Sequence, residues 1–387
     1  MDAVLAVRPA DLDATVQAGV TWDGFNRSIL PLGLFFAVDP GPGATLGGMV
    51  GTGASGTNAL RYGAMKANVL GVTAVLADGS IVKTTGASRA RKTAAGYDLT
   101  SLLVGSEGTL GIITELHVRL AHVPRASAVA TVSFPTVEAA CACAAALGAA
   151  GIPVAAVELL DAAAVAAVIA AAPSAHSVEL LSGSEGAAAT PLLLLKFSGG
   201  TKASVAADAE AAATVAAASG GGAFRWASDA EGQAMLWSAR KEALWAVQAL
   251  ASPNGRVVAT TDVCVPLSAL PVLMSRVSAK ASACGLPVAA LGHVGDGNVH
   301  HLISFNRNDP VESAAAAALH DALVGAALEL GGTCTGEHGI GAGKVQYMEA
   351  ELGGDFGALQ LMRRIKNALD PNGILNPGKK IPGSGNV

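Results

Sequence analysis

The N-terminal third of the chain has short apolar runs separated by glycine-rich turns. Between residues 39 and 111 glycine is dense, and the apolar run 72–76 is followed by the turn Asp78-Gly79 and a second short run, 80–82. Short apolar runs bounded by turn residues are typical of strands. The pattern therefore predicts a turn-rich segment of short strands.

The pattern changes near residue 126, where apolar runs begin to alternate with alanine-rich stretches of helical length. The apolar runs predict strands and the alanine-rich stretches predict helices. The predicted strands are 128–134, 192–197, 257–265, 287–294 and 299–305, and the predicted helices are 138–150, 160–172, 203–219, 267–284, 312–330 and 356–369. Strands and helices mixed in this way favour an α+β second domain.

The composition is that of a folded protein with a net negative charge. The chain has 387 residues, 51% hydrophobic and 14% charged, and its 25 basic and 30 acidic residues give a formal net charge of −5. This length is enough for two or more packed domains. Because no basic stripe with interleaved aromatic residues is present, a nucleic-acid partner is not expected.

Targeting and membrane segments are not predicted. The most apolar stretch, 162–172, lies between Asp161 and Pro173 and is too short to span a bilayer. The N-terminal sequence has acidic residues and no basic region before an apolar run, so neither a signal peptide nor a transit peptide is expected. The five cysteines form no CxxC pair, which favours a reducing compartment over a disulfide scaffold.

Two glycine-rich segments are candidate ligand sites. The first, at 39–63, reads DPGPGATLGGMVGTGASGTNALRYG, and the second, at 105–120, reads GSEGTLGIITELHVRL. Glycines among small and hydroxyl residues let the backbone approach a phosphate or a flat ring, with NH groups as donors. The first segment matches neither the Walker pattern nor GxGxxG, so a structural loop is an equal alternative. For the second segment the alternative is a tight turn into a core strand.

A third motif, GHVGDGNVHH at 292–301, predicts a metal site. If residues 295–298 form a four-residue hairpin loop, Val294 pairs with Val299 and His293 lies opposite His300. Cross-strand partners on one face have Cβ atoms roughly 5 Å apart, which is close enough for both imidazoles to reach one metal ion. The alternative for either histidine alone is a satisfied core residue, but the pair favours the ligand interpretation.

The sequence GGTCTGEHGIGAGK at 331–344 offers a third ligand and a base. Glu337 would complete a His, His, carboxylate set with an open metal position, as catalytic zinc sites require. Its neighbour His338 would then be available for proton transfer. The alternative is a helix-entry loop with an acidic cap.

Arg240 lies among apolar and aromatic residues in LWSARKEALW, at 236–245. A partly buried arginine is suited to gripping a carboxylate, because its planar fork bonds both oxygens. A structural ion pair is an equal alternative.

These motifs together resemble the cytochrome-linked, mitochondrial-type D-lactate dehydrogenases of the vanillyl-alcohol-oxidase-like, PCMH-type FAD-binding family. The similarity includes GASGTNALRYG, RKTAAGYDLTSLLVGSEGTLGIITE, TDVCVPLSALP, GHVGDGNVH, GTCTGEHGIG and LDPNGILNPGK. The resemblance implies an α+β fold: a PCMH-type FAD-binding domain lacking its first subdomain, plus an α+β cap or substrate domain with an antiparallel sheet. The expected domains are 1–125 and 126–345, with a C-terminal helix and tail, 346–387, that returns to the FAD domain.

The resemblance also implies ligands for particular residues. FAD would be held without a covalent link by Gly41, Gly47, Gly48, Gly53, Ser55, Asn58, Gly105, Glu107, Gly108, Gly111, Ile113 and Asn376. A divalent metal, expected to be zinc, would be bound by His293, His300 and Glu337. His338 would be the catalytic base, and Arg240 would grip the substrate carboxylate.

The implied reaction is the oxidation of a D-2-hydroxy acid. The metal coordinates the 2-hydroxyl, His338 accepts the proton and hydride leaves C2 for the flavin, so D-lactate would give pyruvate. Cytochrome c or another carrier would accept the electrons, and a mitochondrial location is expected by resemblance alone.

The substrate and the activity have alternatives. Related D-2-hydroxyglutarate dehydrogenases carry a lysine where this chain has Thr260, which favours a monocarboxylate. Glycolate differs from lactate by one methyl group, a difference worth roughly 1 to 3 kcal/mol, so it stays open. Family members begin with a further glycine-rich stretch, so a truncated, non-catalytic binding relative is a second hypothesis. A zinc hydrolase is a third, although it leaves the glycine-rich segments unexplained.

Overall fold

The computed structural model describes residues 1–171, 188–227 and 229–383, in which the chain forms two compact units. Unit 1 consists of Met1–Val123 and Glu337–Val387, and unit 2 consists of Pro124–Gly336. Each unit has its own hydrophobic core. The chain therefore leaves unit 1 once and returns to it.

The return point differs from the expected domain boundary. Residues 337–345 were expected in the second domain, with 126–336, but they belong to unit 1. The physical reason is a set of hydrogen bonds: the Glu107 carboxylate accepts from the amides of Ile340 and Gly341 at 2.8 and 2.6 Å. The loop after His338 is thus held by the first part of unit 1.

The first part of unit 1 is built on an antiparallel sheet. Its elements are the strands β1 (Val4–Arg8), β2 (Asp13–Gln17), β3 (Leu34–Phe35), β4 (Val69–Val75), β5 (Ile81–Lys83), β6 (Ile112–Arg119) and β7 (Ala121–His122) and the helices α1 (Trp22–Ile29), α2 (Leu46–Thr52), α3 (Ala59–Tyr62), α4 (Met65–Asn68) and α5 (Leu99–Leu103), with a 3₁₀ turn at Leu30–Leu32. The five-stranded sheet has the order β1-β2-β6-β4-β5, and β3 pairs with β7. Every pairing is antiparallel.

The core of unit 1 forms where the sheet meets the helices. Val16 of β2 and Leu116 of β6 are cross-strand partners and are fully buried. Phe25 and Ile29, four residues apart on α1, form the buried stripe of that helix in the same core. The glycine-rich segments are thereby attached to a packed sheet.

Unit 2 is a larger α+β unit. Its elements are β8 (Ala126–Ser133), α6 (Val137–Ala149), β9 (Ala156–Leu160), α7 (Ala162–Ala171), β10 (Leu192–Gly199), α8 (Lys202–Ala218), β11 (Arg225–Ala227), α9 (Ala230–Ala251), β12 (Val257–Thr260), β13 (Val263–Cys264), α10 (Leu270–Cys284), β14 (Val288–Gly292), β15 (Asn298–Phe305) and α11 (Pro310–Glu329), with 3₁₀ turns at Ser252–Asn254 and Leu267–Ala269. The antiparallel sheet has the order β11-β8-β10-β9-β14-β15-β12, and β13 also pairs with β15.

Both faces of this sheet are covered by helices. Leu192 and Leu194 of β10 pack in one core with Val165 of α7 and Leu236 of α9. The opposite face carries α8 over β8 and β10, and α11 over β15. A strand buried on both faces is expected to be apolar throughout, which explains the unbroken LLLL of β10.

Unit 1 is completed by the C-terminal elements, a 3₁₀ turn at Val345–Tyr347, α12 (Met348–Glu351) and α13 (Phe356–Leu369). The predicted last helix is confirmed residue for residue. The predicted helix 160–172 is shorter at its start, because Leu160 completes β9 and Asp161 caps α7 by accepting from the amide of Ala164 at 2.7 Å. Residue 172, like Pro173, lies outside the described residues.

One helix within the described ranges, α11, is long and apolar enough to cross a membrane by length and composition. A core helix passes the same test, and Leu319, Leu323 and Ala327 of this helix are buried. All five cysteines are free thiols. Burial raises the pKa of Cys141 to about 12, so this thiol stays protonated.

Candidate functional site

The two glycine-rich segments of unit 1 are joined by main-chain hydrogen bonds. The amide of Gly105 donates to the carbonyl of Val50 at 2.8 Å, and the amide of Glu107 donates to that of Gly51 at 2.8 Å. Val50 and Gly51 lie in α2, the helix of the first segment. The sequence therefore predicted two separate segments that the structure places side by side.

Two glycines of the first segment are required by packing. A Cβ at Gly47 would lie 2.6 Å from the Cβ of Ala18, and one at Gly56 would lie 2.6 Å from the carboxylate of Asp39. Real Cβ atoms are not found so close to other atoms. For these two positions the structural interpretation accounts for the glycine.

Backbone conformation explains others. Gly53 ends α2 in the left-handed region, with φ 72°, and Gly105 has φ 76°. Side chains other than glycine rarely adopt this conformation. These glycines are also required by the fold, and their amides donate within the protein, Gly53 to the carbonyls of Met49 and Val50 and Gly105 to that of Val50.

Gly41 and Gly51 are explained by neither rule. A Cβ at either position would meet no atom within 4 Å, and neither residue has a positive φ. Gly51 is inside a helix, where glycine is less favourable than alanine by about 0.5–1 kcal/mol. A helical position that keeps glycine at this cost in stability is consistent with a surface that a flat ligand approaches closely.

The other predicted cofactor residues lie on the same part of unit 1. The Asn58 amide donates to the Asp39 carboxylate at 3.1 Å, and its side chain donates to the carbonyl of Ala37 at 3.1 Å. The remaining positions are Gly48 in the first turn of α2, the half-buried Ser55, Gly108 and Gly111 in the turn before β6, and Ile113 within β6. All of these positions belong to unit 1.

Glu107 has a role that the sequence did not reveal. It lies in the left-handed region, with φ 54°, and its carboxylate binds the amides of the loop at residues 340–341. Lys380 lies 3.4 Å from the same carboxylate. The Glu107 side chain ties three segments of unit 1 together, and the predicted contact of Glu107 with the cofactor stays a prediction.

The C-terminal tail returns to the second glycine-rich segment. The side-chain amide of Asn376 donates to the carbonyl of Glu107. The buried ammonium of Lys366 holds this arrangement by donating to the carbonyls of Thr109 and Leu375 at 2.8 and 2.7 Å and to the carboxylate of Asp370. Asn376 therefore lies next to the second glycine-rich segment, which was predicted together with Asn376 to bind FAD.

The hairpin in unit 2 has a different register from the one expected. His300 pairs with Leu291, not with His293, because β14 ends at Gly292. The carbonyl of His293 accepts from the amides of Asp296 and Asn298 at 3.1 and 3.2 Å, so the turn already begins at His293. The predicted pairing is wrong by two residues, a shift that keeps the same side of the strand.

The two histidines nevertheless lie close together. Their ring centroids are 5.8 Å apart and the rings are nearly perpendicular, at 88°. His300 Nδ1 is 3.0 Å from the carbonyl oxygen of Thr261, and His293 Nδ1 is 2.9 Å from the carboxylate of Glu158. A carbonyl oxygen only accepts, so Nδ1 of His300 is the protonated nitrogen. The lone pair on Nε2 then suits a metal ion, and the Glu158 carboxylate favours the same tautomer of His293.

The neighbouring His301 is a different kind of residue. Successive side chains of a strand point to opposite faces, so His301 lies across the sheet from His300. It is buried, and this burial is the larger of two causes that lower its pKa to about 3. The second cause is the nearby His300. This histidine stays neutral and belongs to the core.

A buried polar cluster surrounds His300. The Asp262 carboxylate accepts from the side-chain amide of Asn298 and from the hydroxyl of Thr335, both at 2.8 Å. These contacts interrupt the predicted strand 257–265, which is divided into β12 and β13 around residues 261–262. Asn298 Oδ1 is buried and accepts no hydrogen bond from the described residues.

The third candidate ligand follows this cluster in the chain. Gly336 packs so closely on Asn298 that a Cβ there would overlap its side chain. Because Glu337 is covalently bonded to Gly336, the position of Gly336 limits the positions that the Glu337 backbone can take. In unit 1, His338 is about half exposed, with Nε2 3.9 Å from the Glu337 carboxylate.

Arg240 is buried on α9, where it forms an ion pair. Its Nη2 is 2.7 Å from Oε2 of Glu158, whose side chain is 1% exposed. Its Nε is buried and has no hydrogen-bond partner among the described residues. The structural ion pair is thus present, and part of the guanidinium is left for a further acceptor.

Sequence reasoning did not find Glu158, Asp262 or Lys366. A signal was present for the first: Glu158 is the one charged residue of β9, which reads AVELL and is buried throughout. A lone carboxylate in a buried strand requires a partner. The identity of that partner, from distant α9, is not encoded locally.

Comparison with known proteins gives a consistent assignment. Residues 1–85 match the family described as FAD binding domain, and residues 123–380 match FAD linked oxidases, C-terminal domain. The chain is 44% identical over 382 residues to the mitochondrial D-lactate dehydrogenase (cytochrome) of Arabidopsis thaliana, covering 99% of this chain and 64% of that protein. It is 42% identical to a probable mitochondrial D-lactate dehydrogenase of Danio rerio, covering 98% and 74%.

More distant relatives differ in their names. A glycolate oxidase subunit of Escherichia coli is 32% identical, with 98% of this chain and 72% of that protein covered. The chain thus spans less than two thirds of the Arabidopsis relative and nearly three quarters of the other two.

Two solved structures share the fold. The 4-ethylphenol oxidase of Gulosibacter chungangensis aligns with a TM-score of 0.76 at 18% identity, over 99% of this chain and 78% of that one. p-Cresol methylhydroxylase aligns with a TM-score of 0.72 at 19% identity, over 98% and 78%. The expected α+β fold of the PCMH type is therefore confirmed, and the chain belongs to the FAD-linked oxidase family.

Proposed function

We propose that this chain is an FAD- and divalent-metal-dependent dehydrogenase that oxidises D-lactate to pyruvate. The observation that carries the proposal is the pair His293 and His300, 5.8 Å apart, with each Nδ1 on a protein oxygen. This arrangement prepares two imidazoles to bind one cation through Nε2. The names of the Arabidopsis and Danio relatives support D-lactate as the substrate.

The residues of the metal site fit a borderline cation such as zinc. Two imidazoles and the carboxylate of Glu337 are a common zinc ligand set that leaves a position open. The buried Asn298 Oδ1, which has no donor among the described residues, is a further polar group on the strand that carries His300. A bound cation supplies Lewis acidity to the substrate hydroxyl.

FAD fits the bare backbone of unit 1. Gly41 and Gly51 leave open space where no fold constraint requires glycine. FAD supplies the two-electron acceptor for the hydride that leaves C2. The residues proposed to hold it are Gly41, Gly47, Gly48, Gly53, Ser55, Asn58, Gly105, Gly108, Gly111, Ile113 and Asn376, together with the backbone of Glu107.

Arg240 and His338 provide the remaining chemistry. An arginine keeps its positive charge at any physiological pH, and Arg240 offers donors beyond the one on Glu158, so it binds the substrate carboxylate. His338 accepts the hydroxyl proton, because its imidazole is about half exposed and a neutral ring nitrogen is a proton acceptor.

The substrate is proposed to be a monocarboxylate. Thr260, at the end of β12, is exposed and carries no charge to meet a second carboxylate. This favours D-lactate over D-2-hydroxyglutarate. Glycolate is the second candidate, supported by the glycolate oxidase relative. Cytochrome c is proposed as electron acceptor and the mitochondrion as location, from the names of the relatives.

The deciding experiment is an anaerobic absorption spectrum of the purified protein before and after each substrate is added. D-lactate, L-lactate, glycolate and D-2-hydroxyglutarate are compared at equal concentration. We expect flavin absorbance that bleaches fastest with D-lactate. Faster bleaching with glycolate would change the substrate, whereas a folded protein that stays colourless with added FAD would favour a non-catalytic binding protein.

A further inference from the structure

The Glu158 carboxylate contacts both a candidate metal ligand and the candidate substrate arginine. Oε1 and Oε2 each lie 2.9 Å from His293 Nδ1, and Oε2 lies 2.7 Å from Arg240 Nη2. Its side chain is 1% exposed, so water does not compete for these contacts. All three residues belong to unit 2.

The fold explains how this contact arises. Glu158 lies in β9 directly opposite Leu194 of β10, on the sheet face that packs against α7 and α9. Arg240 is on the buried side of α9, and His293 begins the turn after β14, the strand that pairs with β9. The turn is itself attached to β9, because the amide of Gly295 donates to the carbonyl of Val157 at 3.1 Å.

We propose that Glu158 is the positioning residue that sets the metal ligand and the carboxylate-binding arginine together. Its negative charge fixes His293 in the tautomer with hydrogen on Nδ1, which leaves Nε2 for the metal ion. The same charge holds the Arg240 guanidinium in one orientation. This inference rests on the proposed function, because it assumes that His293 binds a metal ion.

Substitution by glutamine creates a specific conflict. Both neighbours of residue 158 are donors, and a carboxylate accepts from both, whereas a carboxamide has one accepting oxygen and one NH₂ group. If the oxygen faces Arg240, the NH₂ faces Nδ1 of His293. His293 then relieves the conflict by moving its hydrogen to Nε2, which removes the lone pair that the metal requires.

The test is the affinity of the purified protein for Zn²⁺, measured by competition with a chromophoric chelator and without substrate. Loss of a carboxylate behind a metal-binding histidine typically lowers metal affinity about 10–100-fold. We expect this loss in Glu158→Gln. Wild-type affinity in that variant would overturn the proposal.

A matched control exists in the same unit. Arg256 Nη2 lies 2.7 Å from Oε2 of Glu312, the same separation as in the Arg240 pair. The second contact of this carboxylate differs in kind, because Glu312 accepts from the backbone amide of Asn306 at 2.7 Å. We expect Glu312→Gln to bind Zn²⁺ within about twofold of wild type, and an equal loss in both variants would overturn a specific role for Glu158.

A second pair of variants tests the conflict without leaving a buried charge unpaired. In the Arg240→Met background, the carboxamide introduced by Glu158→Gln is free to turn its oxygen to His293, so Arg240→Met/Glu158→Gln should recover Zn²⁺ affinity relative to Glu158→Gln. Arg240→Met/Glu158→Met has no acceptor and should bind about 10–100-fold more weakly than that double variant. Equal affinities of the two double variants would overturn the proposal even if Glu158→Gln does not fold.

His293→Ala separates this inference from the proposed function. Wild-type protein that binds no Zn²⁺, or a His293→Ala variant that binds it as wild type does, would overturn the metal site itself. Normal Zn²⁺ binding by wild type, loss in His293→Ala and no change in Glu158→Gln would overturn only the role of Glu158.

Discussion

In unit 1 the candidate cofactor residues are mostly backbone positions on loops, whereas in unit 2 the candidate metal ligands His293 and His300 and the candidate substrate residue Arg240 are side chains on a turn, a strand and a helix. The loops of unit 1 are held by hydrogen bonds to the main chain, many of them made by Glu107 and Lys366. In unit 2 each candidate side chain has a buried partner, such as Glu158 or Thr261.

The difference follows from what each ligand requires. A large flat cofactor is recognised by a bare backbone surface, so the fold must restrain loops without adding side chains to them. A metal ion and a carboxylate are recognised by a few side chains whose orientation must be fixed. Substitutions in unit 1 should therefore affect loop order, and substitutions in unit 2 should affect individual contacts.

His338 tests this comparison most strongly, because it is a functional side chain proposed within unit 1. We expect His338→Gln to lower kcat by about 10²–10⁴-fold, since a positioned base contributes that much. Flavin and zinc content should be unchanged. The exposed His122 of the same unit provides the control, and His122→Gln should retain full activity. Near-normal turnover of His338→Gln would remove it from the mechanism.

The anchoring of the loops in unit 1 is tested by Lys366→Met. This change removes the ammonium donor of two carbonyls and of the buried Asp370 carboxylate, which keeps the amides of Ile374 and Leu375, and removing one partner of a buried pair typically costs about 3–5 kcal/mol. We expect the free energy of unfolding to fall by this amount, and hydrogen exchange to increase first at residues 105–111.

The control for that variant is Lys380→Met. Lys380 is partly exposed and lies 3.4 Å from the Glu107 carboxylate, so its loss should cost no more than about 1 kcal/mol. If Lys366→Met lowered the free energy of unfolding no more than Lys380→Met does, the tail would not be held by Lys366. The idea that buried side chains restrain the loops of unit 1 would then be wrong.

The sequence predicted the regular elements better than the contacts. Helix 356–369 and the predicted strands and helices between 128 and 330 follow from periodicity and from alanine-rich stretches, because these signals are local, whereas β9, β11 and α9 were not predicted. The hairpin register was wrong by two residues, since it depends on where the turn begins, and that is set by two hydrogen bonds to the carbonyl of His293.

The candidate site was predicted in the same uneven way. His293 and His300 were found because a glycine turn joins them in sequence. Glu158 and Lys366 were not, because their partners are distant in the chain: 135 residues separate Glu158 from His293, and 257 separate Lys366 from Thr109. Spacing arguments cannot reach such contacts, since they form only when the fold is complete.

Substitutions at two glycines of unit 1 distinguish a glycine that leaves space for a ligand from a glycine that packing requires. Gly51→Ala places its methyl in open space inside a helix, so we expect unchanged or slightly higher stability and about tenfold weaker binding of FAD. Gly56→Ala would overlap Asp39 and should lose about 1–3 kcal/mol of stability. Flavin titration and denaturant unfolding measure both. Normal FAD affinity in Gly51→Ala would remove α2 from the proposed cofactor surface.

The smallest expected effect concerns Asp161 of unit 2, a carboxylate whose partners include the backbone amide of Ala164 at the start of α7. Burial raises its pKa to about 6, opposed by hydrogen bonds from backbone amides. Because the folded-state pKa lies above the unfolded value of 3.8, the protonated form stabilises the fold, and this stabilisation is lost as pH rises through about 6. From about pH 5 to about pH 8 the loss is about 1 kcal/mol.

Asp161→Asn keeps the helix cap, because a carboxamide oxygen also accepts from the amide of Ala164, and it removes the titrating group. Other groups titrate equally in both proteins, so the variant should gain about 1 kcal/mol relative to wild type between about pH 5 and about pH 8 in denaturant unfolding. A constant difference across this range would show that Asp161 is ionised in the fold at little cost. Hydrogen bonds from backbone amides alone would then stabilise a carboxylate of unit 2 as well as Arg240 and His293 stabilise Glu158. The difference between the two units would then be limited to the candidate ligand-binding residues.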